Sequence, residues 1–162
     1  MLRSFLFLLL TSCLLHAVAQ ETIAIDLEFD GEDRDYRLRI PANFDGETAL
    51  PLVFNLHGFT SNATQQELYS RMNVVADTAG FFICYANGIG AAWNVGWDFG
   101  SSADDVGFIN FLIDQISAEY PILSDQIYSC GMSNGGFMSY RLACELNQRI
   151  AAVASVLSLI HI

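Results

Sequence analysis

Ser133 stands in the pentapeptide Gly131-Met132-Ser133-Asn134-Gly135, a G-x-S-x-G pattern. By composition alone this match arises by chance roughly once in twenty chains of this length. Its setting makes it more specific. The apolar run Gln126 to Cys130 precedes it and a helical pattern from Asn134 to Asn147 follows it, so the serine is expected on a tight strand-to-helix turn. Side chains at 131 or 135 would collide with the neighbouring strand and helix, which is a reason for both glycines. A hydroxyl raised on such a turn, above a helix N-terminus with its positive dipole end, could attack a carbonyl carbon. The negative oxygen formed in that attack needs donors. One would be the backbone N–H of Asn134. The other would come from the loop after the first buried strand, at Gly58 and Phe59. Each such donor is worth about 10²–10³ in rate.

These residues need a scaffold. Ile23, Ile25, Leu27 and Phe29 alternate with polar residues, Asp30 to Asp33 make a turn, and Tyr36, Leu38 and Ile40 resume the alternation. That predicts a half-exposed antiparallel hairpin ended by Pro41. Leu52-Val53-Phe54-Asn55-Leu56 is nearly continuous in apolar residues, the mark of a strand buried on both faces. Ala63 to Ala79 reads as one helix with Leu68, Met72, Val75, Ala76 and Ala79 inward and Gly80 as its C-cap. Phe81 to Ala86 reads as a second buried strand. Asp105 is expected to cap a helix whose inward face is Ile109, Leu112, Ile113, Ile116 and Tyr120, stopped by Pro121. Ile150 to Val156 reads as a last strand. Strand and helix alternate from residue 51 onward. The expected class is therefore α/β, a mostly parallel sheet flanked by helices with the hairpin at one edge. Ligands in such sheets bind beyond the carboxyl ends of the strands, here at His57-Gly58, Asn87-Gly88 and Gly131 to Gly135.

Composition narrows the function classes. Seven Arg and no Lys face 18 acids, a formal net charge of -11. Nucleic-acid binding requires a basic footprint that is missing here. Met1-Leu2-Arg3-Ser4, the apolar stretch from Phe5 and the Ala17-Val18-Ala19 site read as a secretory signal peptide over residues 1–19. A rival address is the lipobox-like Leu10-Thr11-Ser12-Cys13, which would acylate Cys13. No later segment reaches the length of a membrane span. Residues 20–162 then form one catalytic portion. Cys84, Cys130 and Cys144 are an odd set whose pairing the sequence leaves open, with Cys130 read as a small buried hydrophobe. Nothing resembles a metal cluster, so neither metal nor cofactor is expected. Asn62-Ala63-Thr64 matches a glycosylation sequon and is read as coincidental.

His57 invites a role as general base. With Asp98 or Asp104 and Ser133 it has the chain order of the chymotrypsin class, but that class consists of β-barrels, which the helical periodicities contradict. His57 is read instead as part of the loop that shapes the oxyanion hole. The 29 residues after Ser133 hold one acid, Glu145, and one histidine, His161. Glu145 would point away along its helix and His161 is the penultimate residue. A C-terminally incomplete domain is therefore expected, with the triad Asp and His elsewhere and an uncovered sheet edge. Whether the closing Leu157 to Ile162 is native sequence is left open by the residues themselves. Between Asn87 and Ala103 a long stretch lacks periodicity; its Trp93, Trp97 and Phe99 are candidates either to line a substrate cleft or to pack as a lid.

From about Asp35 to Val156 the chain resembles exported α/β-hydrolases of the polyhydroxybutyrate-depolymerase and feruloyl-esterase group. The likeness is carried by Pro51-Leu52-Val53 with Leu56-His57-Gly58, by Trp93-Asn94 and by Asp104-Asp105-Val106-Gly107-Phe108. It continues through Gly131 to Gly136 and Tyr140-Arg141-Leu142-Ala143-Cys144-Glu145. The resemblance implies an α/β-hydrolase fold and Ser133 as nucleophile. It implies a carboxylic ester substrate, either a hydroxyalkanoate polyester or a hydroxycinnamoyl ester on polysaccharide. A peptidase of the same fold and a non-catalytic polymer-binding relative are the rival functions.

Overall fold

The computed structural model describes residues 21–98 and 100–157. The signal peptide, Cys13, Phe99 and His161 lie outside them. Six strands form one sheet: β1 (Glu21–Phe29), β2 (Glu32–Ile40), β3 (Leu50–Leu56), β4 (Phe82–Ala86), β5 (Ile122–Met132) and β6 (Ala152–Val156). Their order is β1-β2-β4-β3-β5-β6. β1, β2 and β4 pair antiparallel in turn, while β4, β3, β5 and β6 run parallel. The hairpin is thus an antiparallel flank on a parallel sheet, as its alternation predicts.

Among the described residues four α-helices cover the faces: α1 (Ala63–Ser70), α2 (Met72–Ala79), α3 (Asp105–Glu119) and α4 (Asn134–Glu145). The main core lies between the sheet and the α3–α4 layer. Leu52, Phe54, Leu56, Phe82 and Cys84 meet Phe108, Ile109, Leu112, Ile113, Met138 and Leu142 there. Burying each large side chain contributes roughly 1.5–3 kcal/mol. A smaller cluster of Ala63, Ala76, Ile83 and Tyr85 fills the other face beneath α1 and α2. All five residues of β4 are buried, which explains the unbroken apolar run in its sequence.

The expected single helix over 63–79 is two. Arg71 adopts a left-handed conformation (φ 50°), ending α1 and opening α2. That residue breaks the 100° phase on which the inward stripe depended. Leu68 and Val75 are accordingly 70% and 51% exposed, and Ala79 is exposed too. Ala63, Gln66 and Ala76 are buried instead. Polar ties hold the pair of helices to the hairpin: Arg37 pairs with Glu67 and Arg39 with Asp77. Asn62 of the sequon caps α1, its side chain accepting from the Gln65 N–H at 3.0 Å.

Other boundaries also move. Asp104, not Asp105, is the N-cap of α3, its carboxylate accepting from the Gly107 N–H at 2.9 Å. β5 begins four residues early, directly after Pro121. Cys84, Cys130 and Cys144 are all free thiols; Cys130 is only partly buried, and burial pushes its thiol up to about 11. Among the described residues no helix is long and apolar enough to cross a membrane, and no cluster of metal-ligating side chains occurs.

Candidate active site

The ends of β3, β5 and β6 coincide in register: Leu56 lies beside Gly131, and Met132 beside Val156. The chain leaves β5 through Ser133, whose φ of 52° and ψ of -115° are foreign to ordinary L-residues. Such a conformation costs on the order of 1–3 kcal/mol and persists only where the surroundings impose it. Two backbone bonds impose it here. The Ser133 N–H donates to the Val156 carbonyl at 2.7 Å, and its carbonyl accepts from the Phe137 N–H at 3.0 Å. Its hydroxyl makes no capping bond to α4, and the residue is partly exposed.

The glycines allow this approach. A Cβ on Gly131 would stand 2.5 Å from the Gly135 backbone and 2.8 Å from the Leu56 carbonyl oxygen. On Gly135 it would stand 2.2 Å from the Leu56 oxygen and 2.5 Å from that of His57. The opening turn of α4 therefore presses directly on the end of β3. A Cβ on Gly58 would lie 3.3 Å from the Met132 carbonyl oxygen and 3.7 Å from the Ser133 Cβ. The loop after β3 is thus the wall of the serine turn. Asn134, at the first position of α4, has a backbone N–H with no intrahelical acceptor, as at any helix start.

His57 is fully buried and both ring nitrogens are committed. Nε2 accepts the Gly88 N–H at 3.0 Å, so the proton sits on Nδ1, which donates to the Gly58 carbonyl at 2.8 Å. Burial pushes its pKa below the ordinary histidine value. This ring braces the loop and is not available to deprotonate a serine. Glu145 sits at the far end of α4, paired with Arg141 at 2.6 Å.

The two tryptophans separate. Trp93 is 1% exposed, which places it in the packing and not in an open cleft. Trp97 is 39% exposed and meets Phe137 edge-on at 5.1 Å; Phe137 follows Ser133 by one helical turn. Phe59 is also exposed, at 47%.

One group of residues escaped the sequence reading. Arg34 on β2 forms an ion pair with Asp105 at 2.7 Å, and its guanidinium lies over the Phe108 ring at 3.7 Å. The second Asp105 oxygen accepts the Asn94 N–H at 2.6 Å, and Arg141 donates to the Asn94 carbonyl at 2.7 Å. The loop over 87–104 is thereby fastened to the hairpin, α3 and α4 together. A signal did exist: Arg34 is in phase with the inward Tyr36 and Leu38. A cleft of about 490 Å³ between the hairpin tip and residues 100–104 contains no residue of the serine turn.

A serine at positive φ, joining a parallel strand to a helix beside a braced glycine loop, defines the class: this is an α/β-hydrolase fold. The chain belongs to the esterase PHB depolymerase family, whose pattern matches residues 35–160. Feruloyl esterase B of Piromyces equi is 35% identical over 121 residues, covering 72% of this chain and 22% of that one. A bifunctional acetylxylan esterase/xylanase of Neocallimastix patriciarum is 30% identical over 124 residues, covering 76% and 18%. The chain therefore spans about a fifth of the length of these two curated relatives. Among solved structures, FphF, a fluorophosphonate-binding serine hydrolase of Staphylococcus aureus, superposes with a TM-score of 0.70 at 16% identity, covering 83% of this chain and 57% of that one.

Proposed function

We propose that the protein is a secreted serine hydrolase of carboxylic esters in which Ser133 is the nucleophile. The observation that carries this reading is the forced backbone of Ser133 at the carboxyl end of β5, with a hydroxyl that makes no capping bond to α4. In the proposed reaction Ser133 Oγ bonds to the ester carbonyl carbon while its proton passes to a base. The carbonyl electron pair moves onto oxygen, held by the N–H groups of Asn134 and Phe59. Collapse of this intermediate breaks the bond to the alcohol oxygen, which departs with the proton. Water then repeats the sequence on the acyl-enzyme, releasing the acid and restoring the hydroxyl. The base is a histidine from outside the described residues, because His57 has no free nitrogen.

The names of the relatives favour esters on plant polysaccharide, with hydroxyalkanoate polyester as the other member of the class. Trp97 against Phe137 forms an aromatic wall for the substrate in this reading. The N-terminal signal pattern supports export. The test is fluorophosphonate labelling of the intact protein. Label on Ser133 that vanishes in Ser133→Ala supports the proposal; label that persists in the variant overturns it.

A further inference from the structure

The two proposed donors to the oxyanion belong to separate stretches of chain. Asn134 follows β5 and Phe59 follows β3, so their spacing depends entirely on non-covalent contacts. Residue Trp93 makes several of those contacts while too deeply buried, at 1% exposure, to touch a substrate. Toward the elbow, its backbone N–H donates to Asn134 Oδ1 at 2.7 Å and its carbonyl accepts from Asn134 Nδ2 at 3.3 Å. This two-point bond fixes the Asn134 side chain, itself 1% exposed, and with it the peptide that carries the N–H. Toward the β3 loop, the indole N–H donates to the His57 carbonyl at 3.0 Å, and the ring packs on the imidazole at 5.1 Å.

The segment around Trp93 adds two bonds to the same loop. Gly88 donates to His57 Nε2 at 3.0 Å, and the Ala91 carbonyl accepts from the Thr60 N–H at 2.8 Å. The segment is closed tightly on the indole: a Cβ on Gly88 would stand 2.2 Å from the Ala92 oxygen and 3.3 Å from the Trp93 ring. Phe59 lies between the two fastened residues His57 and Thr60.

We infer that Trp93 is a positioning residue for the oxyanion hole, holding the Asn134 peptide and the Gly58–Phe59 loop at the separation a tetrahedral oxyanion requires. This rests on the reading of Ser133 as nucleophile. Such a residue acts on the transition state more than on substrate binding, because the donors strengthen as charge develops.

Trp93→Phe in the intact protein tests the tie to the β3 loop, since Phe keeps an aromatic ring but removes the N–H to His57 together with part of the indole, while the backbone bonds of residue 93 to Asn134 remain. Active sites are counted by the end-point of fluorophosphonate labelling. Turnover is then expressed per counted site, beside KM and the affinity of an aryl boronic acid, which forms a tetrahedral adduct on serine. The expected result is full labelling with kcat per site reduced roughly tenfold to a hundredfold, the scale of a small misplacement. Boronate affinity should fall in step, and KM should stay within about twofold. If Trp93→Phe does not fold, 3-benzothienylalanine at position 93, which keeps the bicyclic shape without the N–H, is judged by the same criteria. Parent-like turnover per site and boronate affinity, or a loss confined to the number of sites, overturns the inference. Ser133→Ala separates the two readings. Persistent label there defeats the nucleophile assignment, whereas label lost there with a parent-like Trp93→Phe defeats only the role of Trp93.

Discussion

Arg34 and Asp105 meet across 71 residues of sequence in an ion pair closed to water, with side chains 2% and 0% exposed. The pair joins the hairpin, which precedes the parallel sheet, to the start of α3. Its second oxygen holds the loop that carries Trp93. Removing one partner leaves the other charged and buried, which costs about 3–5 kcal/mol, whereas replacing both by apolar groups is far milder. Asp105→Ala should therefore destabilise the fold by about that amount in urea unfolding. Arg34→Met combined with Asp105→Leu should recover most of the loss. A single variant as stable as the parent would show that the pair is not closed to water.

His57 should leave a mark on the pH dependence of stability. Its pKa is lowered by burial from an ordinary value of 6.5. Below that value the unfolded chain takes up a proton that the folded chain refuses, so stability is complete above pH 6.5 and declines as pH falls below it. Protonation would also set an imidazolium N–H against the Gly88 N–H that Nε2 now accepts. Thermal unfolding between about pH 5 and 8 should show this decline. His57→Gln should be less stable overall and should lose the part of the slope that His57 contributes.

Gly135 tests how closely α4 presses on β3. The atoms a Cβ would meet there are backbone oxygens at 2.2 and 2.5 Å, which no rotamer change can clear. Gly135→Ala should cost about 3 kcal/mol, at the upper end of overpacking penalties, and should abolish labelling of Ser133. Gly58→Ala meets its neighbours only at 3.3 Å or beyond. It should fold with a loss of about 1 kcal/mol and yet slow the labelling rate, because its neighbours are Met132 and Ser133. Equal effects of the two substitutions on stability would contradict this picture of the elbow.

Trp97 belongs to the substrate side of the proposal. Its edge-on contact with Phe137 resembles pairs worth about 0.5–1.5 kcal/mol, and a planar acyl group placed beside it would gain a similar increment. Trp97→Ala should raise KM for hydroxycinnamoyl esters about threefold to tenfold while leaving acetyl esters nearly unaffected. A uniform change for both esters would remove Trp97 from the site.

The serine turn was legible in the chain because its signals are local. A strand pattern, two glycines and a helix pattern lie within about twenty residues, and backbone sterics alone then restrict what the turn can be. The strands β3 and β4 were legible for a related reason, since burial on both faces demands continuous apolar residues. The two-helix break at Arg71 was not, because a left-handed arginine carries no compositional mark. The sequence by itself determined the order of elements, the parallel sheet with its antiparallel flank and the position of the nucleophile candidate. Only the tertiary structure decided that Arg34 meets Asp105, that His57 is a neutral brace, and that Trp93 is a buried clamp while Trp97 faces solvent. Each of those outcomes depends on partners 31 or more residues away. A side chain's protonation and exposure depend on what surrounds it in space, and nothing in its local pattern records that.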